Sequence, residues 1–207
     1  LLVVAGDLFE RLRGIAKRDV KAVVDALSRF NGTVAVLPGN HDYYSPDAKL
    51  WQGFSDCAQS ADNIMLLKEY RPYHVSAGDN DVVLYPALCT SMHSAPGENN
   101  LGWIKEAEIG PSVFNIGIAH GAVEGETIDS EGLYFLMSRA ELEAIPLDVW
   151  LIGHTHVPFP ALTDSYTESG RIFNAGTHVQ TDVNCNCAGQ CFIIELSDDK
   201  SVRARQG

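Results

Sequence analysis

Basic residues are scarce in this chain. Fifteen Lys and Arg stand against 27 Asp and Glu in 207 residues, a formal charge of −12. A surface that coats nucleic acid indiscriminately needs Lys and Arg to release counterions from phosphates, so that class is disfavoured. The exclusion is partial, because bound divalent cations would add positive charge where a phosphate reacts. One local basic run also remains, Arg11, Arg13, Lys17 and Arg18, whose plain reading is a solvated loop and first helical turn. No stretch of about 18 apolar residues occurs, so no membrane-spanning helix is expected. No signal peptide is visible, and a cytoplasmic location is expected. An initiating Met is missing too: the chain opens on Leu1-Leu2-Val3-Val4, a buried-type strand. It is therefore expected to be a fragment, cut at its N-terminus and open to a cut at its C-terminus. Cysteine is sparse, with Cys57, Cys89 and a cluster of Cys185, Cys187 and Cys191. The cluster lacks the paired C-x₂-C spacing of a zinc ribbon, and an odd count suits no disulfide framework. Reduced bystander thiols are the simpler reading. Repeats, low-complexity segments and linkers are absent.

What is present fits one α/β domain over residues 1–207, long enough to bury a sizeable core. Val20, Val23, Val24, Leu27 and Phe30 recur at helical spacing between Ala16 and Phe30, and Asn31-Gly32 closes the segment. Asp7 to Asn40 is then a strand–helix–strand unit of the length a parallel crossover needs. Ser45-Pro46-Asp47 looks like a helix start with Ser45 as cap, which places Trp51 and Phe54 in the core. Ile64 to Leu67 is a short strand candidate. Tyr73 to Ser76 and Val82 to Tyr85, joined by Gly78-Asp79-Asn80, read as a hairpin. Ser138 and Glu141 have capping-box spacing, and the chain closes on strand candidates at Cys191–Leu196 and Val202–Arg205.

Polar groups gather where the apolar runs stop. Thr33-Val34-Ala35-Val36 is followed by Leu37-Pro38-Gly39-Asn40-His41-Asp42, an amide, an imidazole and a carboxylate in consecutive positions. Leu1 to Gly6 ends at Asp7, Phe114 to Ala119 ends at His120, and Val149 to Gly153 ends at His154, with His156 two residues on. Strands buried on both faces look like continuous apolar runs, and open α/β sheets bind ligands beyond the carboxyl ends of their strands. Asp7, Asn40, His41, His120, His154 and His156 should converge on one rim. In His-x-His the side chains leave opposite sides of an extended backbone, which suits two metals better than one. Carboxylate, amide oxygen and imidazole favour Mn, Fe or Zn over a thiolate metal.

Gly6-Asp7, Gly39-Asn40-His41-Asp42, His120-Gly121 and Gly153-His154-Thr155-His156 resemble, in order, the motifs of the calcineurin-like metallophosphoesterase superfamily. Gly6-Asp7-Leu8-Phe9 and Gly39 to Ser45 look most like its SbcD-type DNA-repair exonucleases. The resemblance implies two packed, mostly parallel or mixed β-sheets flanked by helices. It also implies hydrolysis of phosphoesters with two divalent metal ions, Mn in first place and Fe or Zn as alternatives. Asp7 matches the bridging ligand, Asn40, His120 and His154 match ligands of one metal, and His156 matches a ligand of the other. His41 matches the general acid that protonates the leaving alkoxide. Glu10 stands where many relatives carry an Asp that orients this His. The superfamily's first motif, an Asp-x-His on a strand before Asp7, does not occur here. The implied partners are DNA or another phosphodiester, a coiled-coil ATPase subunit and a second copy of the chain. A protein or small-molecule phosphatase and an inactive scaffold are the alternatives. His178, in Asn174-Ala175-Gly176-Thr177-His178, is a candidate substrate contact, whereas His74 and His93 read as structural or surface residues.

Overall fold

The computed structural model describes residues 1–111, 114–126, 129, 131–180 and 189–207. Cys185 and Cys187 lie outside the described residues, and Cys191 is exposed. Strands β1 (Leu2–Ala5), β2 (Val34–Leu37) and β3 (Ile64–Leu66) form a parallel sheet in that order. Its register pairs Leu2 with Val34, Ala5 with Leu37 and Val34 with Ile64. Helix α1 (Lys17–Leu27) is the crossover, and α2 (Lys49–Ala58) packs beside it.

The continuous apolar character of β2 has a direct cause. Val34 and Val36 point to the helices and bury against Val20, Val24, Trp51 and Phe54. Ala35 and Leu37 point the other way, into a core shared with the second sheet. All four are fully buried, the burial that alternation on a two-sided strand demands. Helix α2 begins at Lys49, not near Pro46 as the Ser45-Pro46-Asp47 pattern suggests. Those residues form a turn closed by the Ala48 N–H on the Ser45 carbonyl, and Ala48 occupies the cap position without a side-chain hydrogen bond.

The second sheet is mixed. Strands β4 (Tyr73–Ala77) and β5 (Asn80–Ala87) form the expected hairpin at one edge. Strands β6 (Phe114–His120), β7 (Val149–Gly153) and, further along, β9 (Ile172–Asn174) follow in parallel. Its two faces divide the same way: Leu84, Ile116, Ile118 and Val149 face the first sheet, whereas Tyr85, Trp150 and Ile152 face α3 (Gly102–Glu106) and α4 (Arg139–Ala144). The Ser138–Glu141 capping box of α4 is formed as the spacing predicts.

The layers are therefore helix, sheet, sheet, helix, as expected for two packed sheets flanked by helices. A small antiparallel sheet, β10 (Phe192–Leu196), β11 (Val202–Gln206) and β8 (Thr167–Glu168), is added where the chain turns back at Asp198-Asp199. It contributes Val202 and Ala204 to the core between the sheets. Among the described residues no helix is long and apolar enough to cross a membrane.

Candidate metal centre

β1, β2, β6 and β7 all deliver their carboxyl ends to the same edge of the two sheets. Asp7 follows β1, Asn40 follows β2, His120 is the last residue of β6 and His154 follows β7. Ligand atoms of Asp7, His120 and His154 lie within 4.8 Å of one another. Asn40 Oδ1 joins them, 2.9 Å from His120 Nε2 and 3.2 Å from His154 Nδ1. His120 Nε2 is also 3.2 Å from Asp7 Oδ2.

The donor set of this cluster suits a cation. His120 Nδ1 lies 2.8 Å from the Ala5 carbonyl, an acceptor that can only take a proton from the ring. On its other side Nε2 faces two oxygens, Asp7 Oδ2 and Asn40 Oδ1. The Asn40 amide is set by its Nδ2 donating to the Met92 carbonyl at 3.4 Å. Two oxygens and an imidazole nitrogen facing one point suit a positive charge, a proton on the ring or a metal ion. The Ala5 carbonyl fixes the ring, the kind of outer contact that orients an imidazole toward a metal.

Electrostatics favour the ligating forms. Burial pushes the Asp7 carboxyl up, but the His120 side chain and the His41 backbone N–H outweigh it and hold it below its usual value. The His41 N–H donates to Asp7 Oδ1 at 3.0 Å. Burial, reinforced by His120, pushes His154 down to about 4. At neutral pH His154 is therefore an uncharged imidazole with a lone pair to give. Its ring stacks obliquely on Tyr134 at 4.8 Å and meets His120 edge-on at 5.3 Å.

The backbone is drawn tight around these groups. Asp7 has φ 51° and His154 φ 105°, both in the left-handed region that L residues avoid. A Cβ on Gly6 would overlap the His120 ring, and one on Gly39 would overlap Asp7. Both glycines are close-approach positions, which gives the Gly6-Asp7 and Gly39-Asn40 pairs a steric reason.

His41 is half-buried beside the cluster. Its Nδ1 lies 3.2 Å from the Glu10 carbonyl oxygen. The contact between the two residues thus runs through Glu10's backbone, and the Glu10 side chain is exposed. His156 is exposed, two residues past His154 and outside the group formed by Asp7, His120 and His154. His93 is exposed and packs against Tyr134 at 5.3 Å, while His74 and His178 are exposed elsewhere.

Sequence alone assigns no role to two further contributors. Asp42 is fully buried and accepts from the Phe9 N–H at 2.9 Å and the Gly39 N–H at 2.6 Å. It ties the loop after β1 to the turn after β2, and its own carbonyl takes the Trp51 indole N–H. Burial raises its carboxyl to about 6, against those two N–H bonds. Its one sequence signal is its place within the Gly39–Asp42 motif. Tyr134, from a loop with no distinguishing pattern, leaves no signal.

Residues 1–158 match the calcineurin-like phosphoesterase family. No curated protein matches the chain. Among solved structures it is similar to TT1561 of Thermus thermophilus, with TM-score 0.56 and 11% identity over 99% of this chain and 84% of that one. At that identity the likeness speaks for the fold alone. Vps29 from Entamoeba histolytica, complexed with Zn²⁺, matches at TM-score 0.36 and 13% identity over 100% of this chain and 96% of that one, too loose a superposition to build on. The family match over residues 1–158 agrees with four strand ends that bring Asp7, Asn40, His120 and His154 to a single sheet edge, and the chain belongs to the calcineurin-like phosphoesterase family.

Proposed function

We propose that this domain is a metal-dependent phosphodiesterase that acts as a DNA exonuclease. The observation that carries it is the convergence of Asp7 Oδ2, Asn40 Oδ1, His120 Nε2 and His154 Nδ1, with His41 alongside. These four would hold one divalent ion, Mn in first place. His156, with Asp7 as bridge, would serve a second ion, the dinuclear arrangement the motif order implies. Bound there, such ions would offset charge on the phosphoryl oxygens and lower the pKa of an attacking water. His41 stays outside the ligand set and is placed to hand a proton to the leaving oxygen. The Glu10 carbonyl on Nδ1 fixes the ring so that Nε2 is the working nitrogen. A coiled-coil ATPase and a second copy of the chain are the partners this role would use.

A phosphatase or phosphodiesterase of proteins or small molecules is the second reading, favoured by the charge of −12. The deciding assay gives the complete protein Mn²⁺ with linear DNA, a small phosphodiester and a phosphomonoester. Turnover of DNA and the diester supports the exonuclease. Turnover of the monoester alone moves the assignment to a phosphatase, and silence on all substrates leaves a scaffold.

A further inference from the structure

Among the described residues, seven of the fifteen Lys and Arg sit in ion pairs with carboxylates. They are Arg18, Lys21, Arg71, Lys105, Arg139, Lys200 and Arg203. Arg13, Lys17 and Lys49 are in none among the described residues, and all are exposed. These three line a single cavity of about 610 Å³, together with Leu12, Tyr43 and one carboxylate, Asp47. Three cations against one carboxylate make a local positive surplus on a protein whose net charge is −12. Lys17 and Lys49 are also the first residues of α1 and α2, whose starts carry no side-chain cap. The amide dipoles there add up to roughly half a positive charge each, less than the side chains supply.

The cavity is built from the two stretches that continue from the general acid. Leu12 to Lys17 follows Glu10, and Tyr43 to Leu50 follows His41. The two stretches meet where His41 Nδ1 contacts the Glu10 carbonyl. The cavity therefore begins two residues beyond both Glu10 and His41, beside the group that would protonate the leaving oxygen. Phosphates bind cations, and a ring beside cations is the pairing that single-stranded nucleic-acid sites use for base and backbone. Tyr43 provides that ring.

We infer that the Arg13–Lys17–Lys49 cavity is a leaving-group subsite that holds the next phosphate of an oligonucleotide, with its base against Tyr43. This rests on the phosphodiesterase reading and narrows it: the preferred substrate is a nucleotide chain whose leaving part carries its own phosphate. A monoester, or a diester with an uncharged leaving group, would leave the cavity unused.

The test compares the full chain with the variant Arg13→Ala/Lys17→Ala/Lys49→Ala, and with Arg13→Gln/Lys17→Gln/Lys49→Gln as a check that shape is kept. Binding of a short oligothymidylate is measured in chelator, which silences the metal centre. The unaltered chain should bind with a salt dependence that both variants flatten, by about 2 in the slope of log K against log salt for three lost contacts on a single strand. With Mn²⁺, the variants should lose at least tenfold in kcat/KM on the oligonucleotide. On bis(p-nitrophenyl) phosphate, which has no second phosphate, they should stay within twofold. Tyr43→Leu should weaken oligonucleotide binding and leave pyrophosphate binding alone. Equal salt slopes in all chains, no oligonucleotide binding in chelator, or equal losses on both substrates would overturn the subsite. Absence of Mn²⁺-dependent turnover on every substrate would instead remove the phosphodiesterase reading, a result the chelator experiment cannot mimic.

Discussion

His120 Nε2 lies 2.9 Å from the side-chain oxygen of Asn40, two residues that come from different sheets. With Asp7 and His154 they make up the donor set that a divalent ion would use. Asn40→Ala should therefore lower the divalent metal content of the chain by most of one equivalent. Metal sites depend on ligand count as well as type. Elemental analysis after Mn²⁺ loading and desalting reads this directly, and unchanged content would remove Asn40 from the ligand set.

His41 touches the site through its backbone N–H on Asp7 and through Nδ1 on the Glu10 carbonyl, and the first contact survives loss of its side chain. His41→Ala in the complete protein should keep its metal and lose about 10²–10⁴-fold in turnover of DNA, the usual range for a positioned general acid. A nitrophenyl ester, whose leaving group needs little protonation, should lose less. Near-normal turnover of DNA would show that the proton comes from elsewhere.

Asp42 accepts two backbone N–H groups in a fully buried place. Asp42→Asn puts an NH₂ against one of those donors, and a buried donor without a partner costs about 1–3 kcal/mol. The variant should unfold at a lower denaturant concentration and hold metal less tightly, because Gly39 and Phe9 anchor the turns that bear Asn40 and Asp7. A variant as stable as the parent, with the same metal affinity, would deny Asp42 that anchoring role.

Glu141 offers a pH test far from the metal centre. Burial raises its carboxyl, but the Lys105 ammonium at 2.7 Å, the Ser138 N–H at 3.2 Å and Asn99 outweigh it and leave it below its ordinary value of 4.5. A depressed carboxylate stabilises the fold above its unfolded value and loses that contribution as pH falls through the folded one. Glu141→Gln should cost about 1 kcal/mol or less at neutral pH, since the group is partly exposed. The gap between parent and variant should close on acidification below about 4.5. A gap that persists at pH 3 would mean the loss is one of packing rather than charge.

Much of this protein is local and therefore written in its sequence. Val34 to Leu37 is apolar at every position because one strand feeds two cores, and such a run is recognisable without knowing either core. Asp7, Asn40, His120 and His154 stand at the ends of such runs, so the candidate donors and their order are visible along the chain. The capping box at Ser138 and the hairpin at Gly78 depend on a few neighbouring residues and are equally plain. Tertiary structure decided everything that requires two distant segments to meet. Only packing brings the Ala5 carbonyl to His120 and turns its Nε2 toward Asn40, makes Asp42 a tie between two loops, and lays Tyr134 on His154. The same holds for the helix start at Lys49: the Ser45 turn displaced it by three residues from where Pro46 suggested, and so set Lys49 beside Arg13 and Lys17. Periodicity encodes what each stretch can bury, whereas hydrogen-bond direction and charge surplus belong to pairs far apart in the chain, which no single stretch contains.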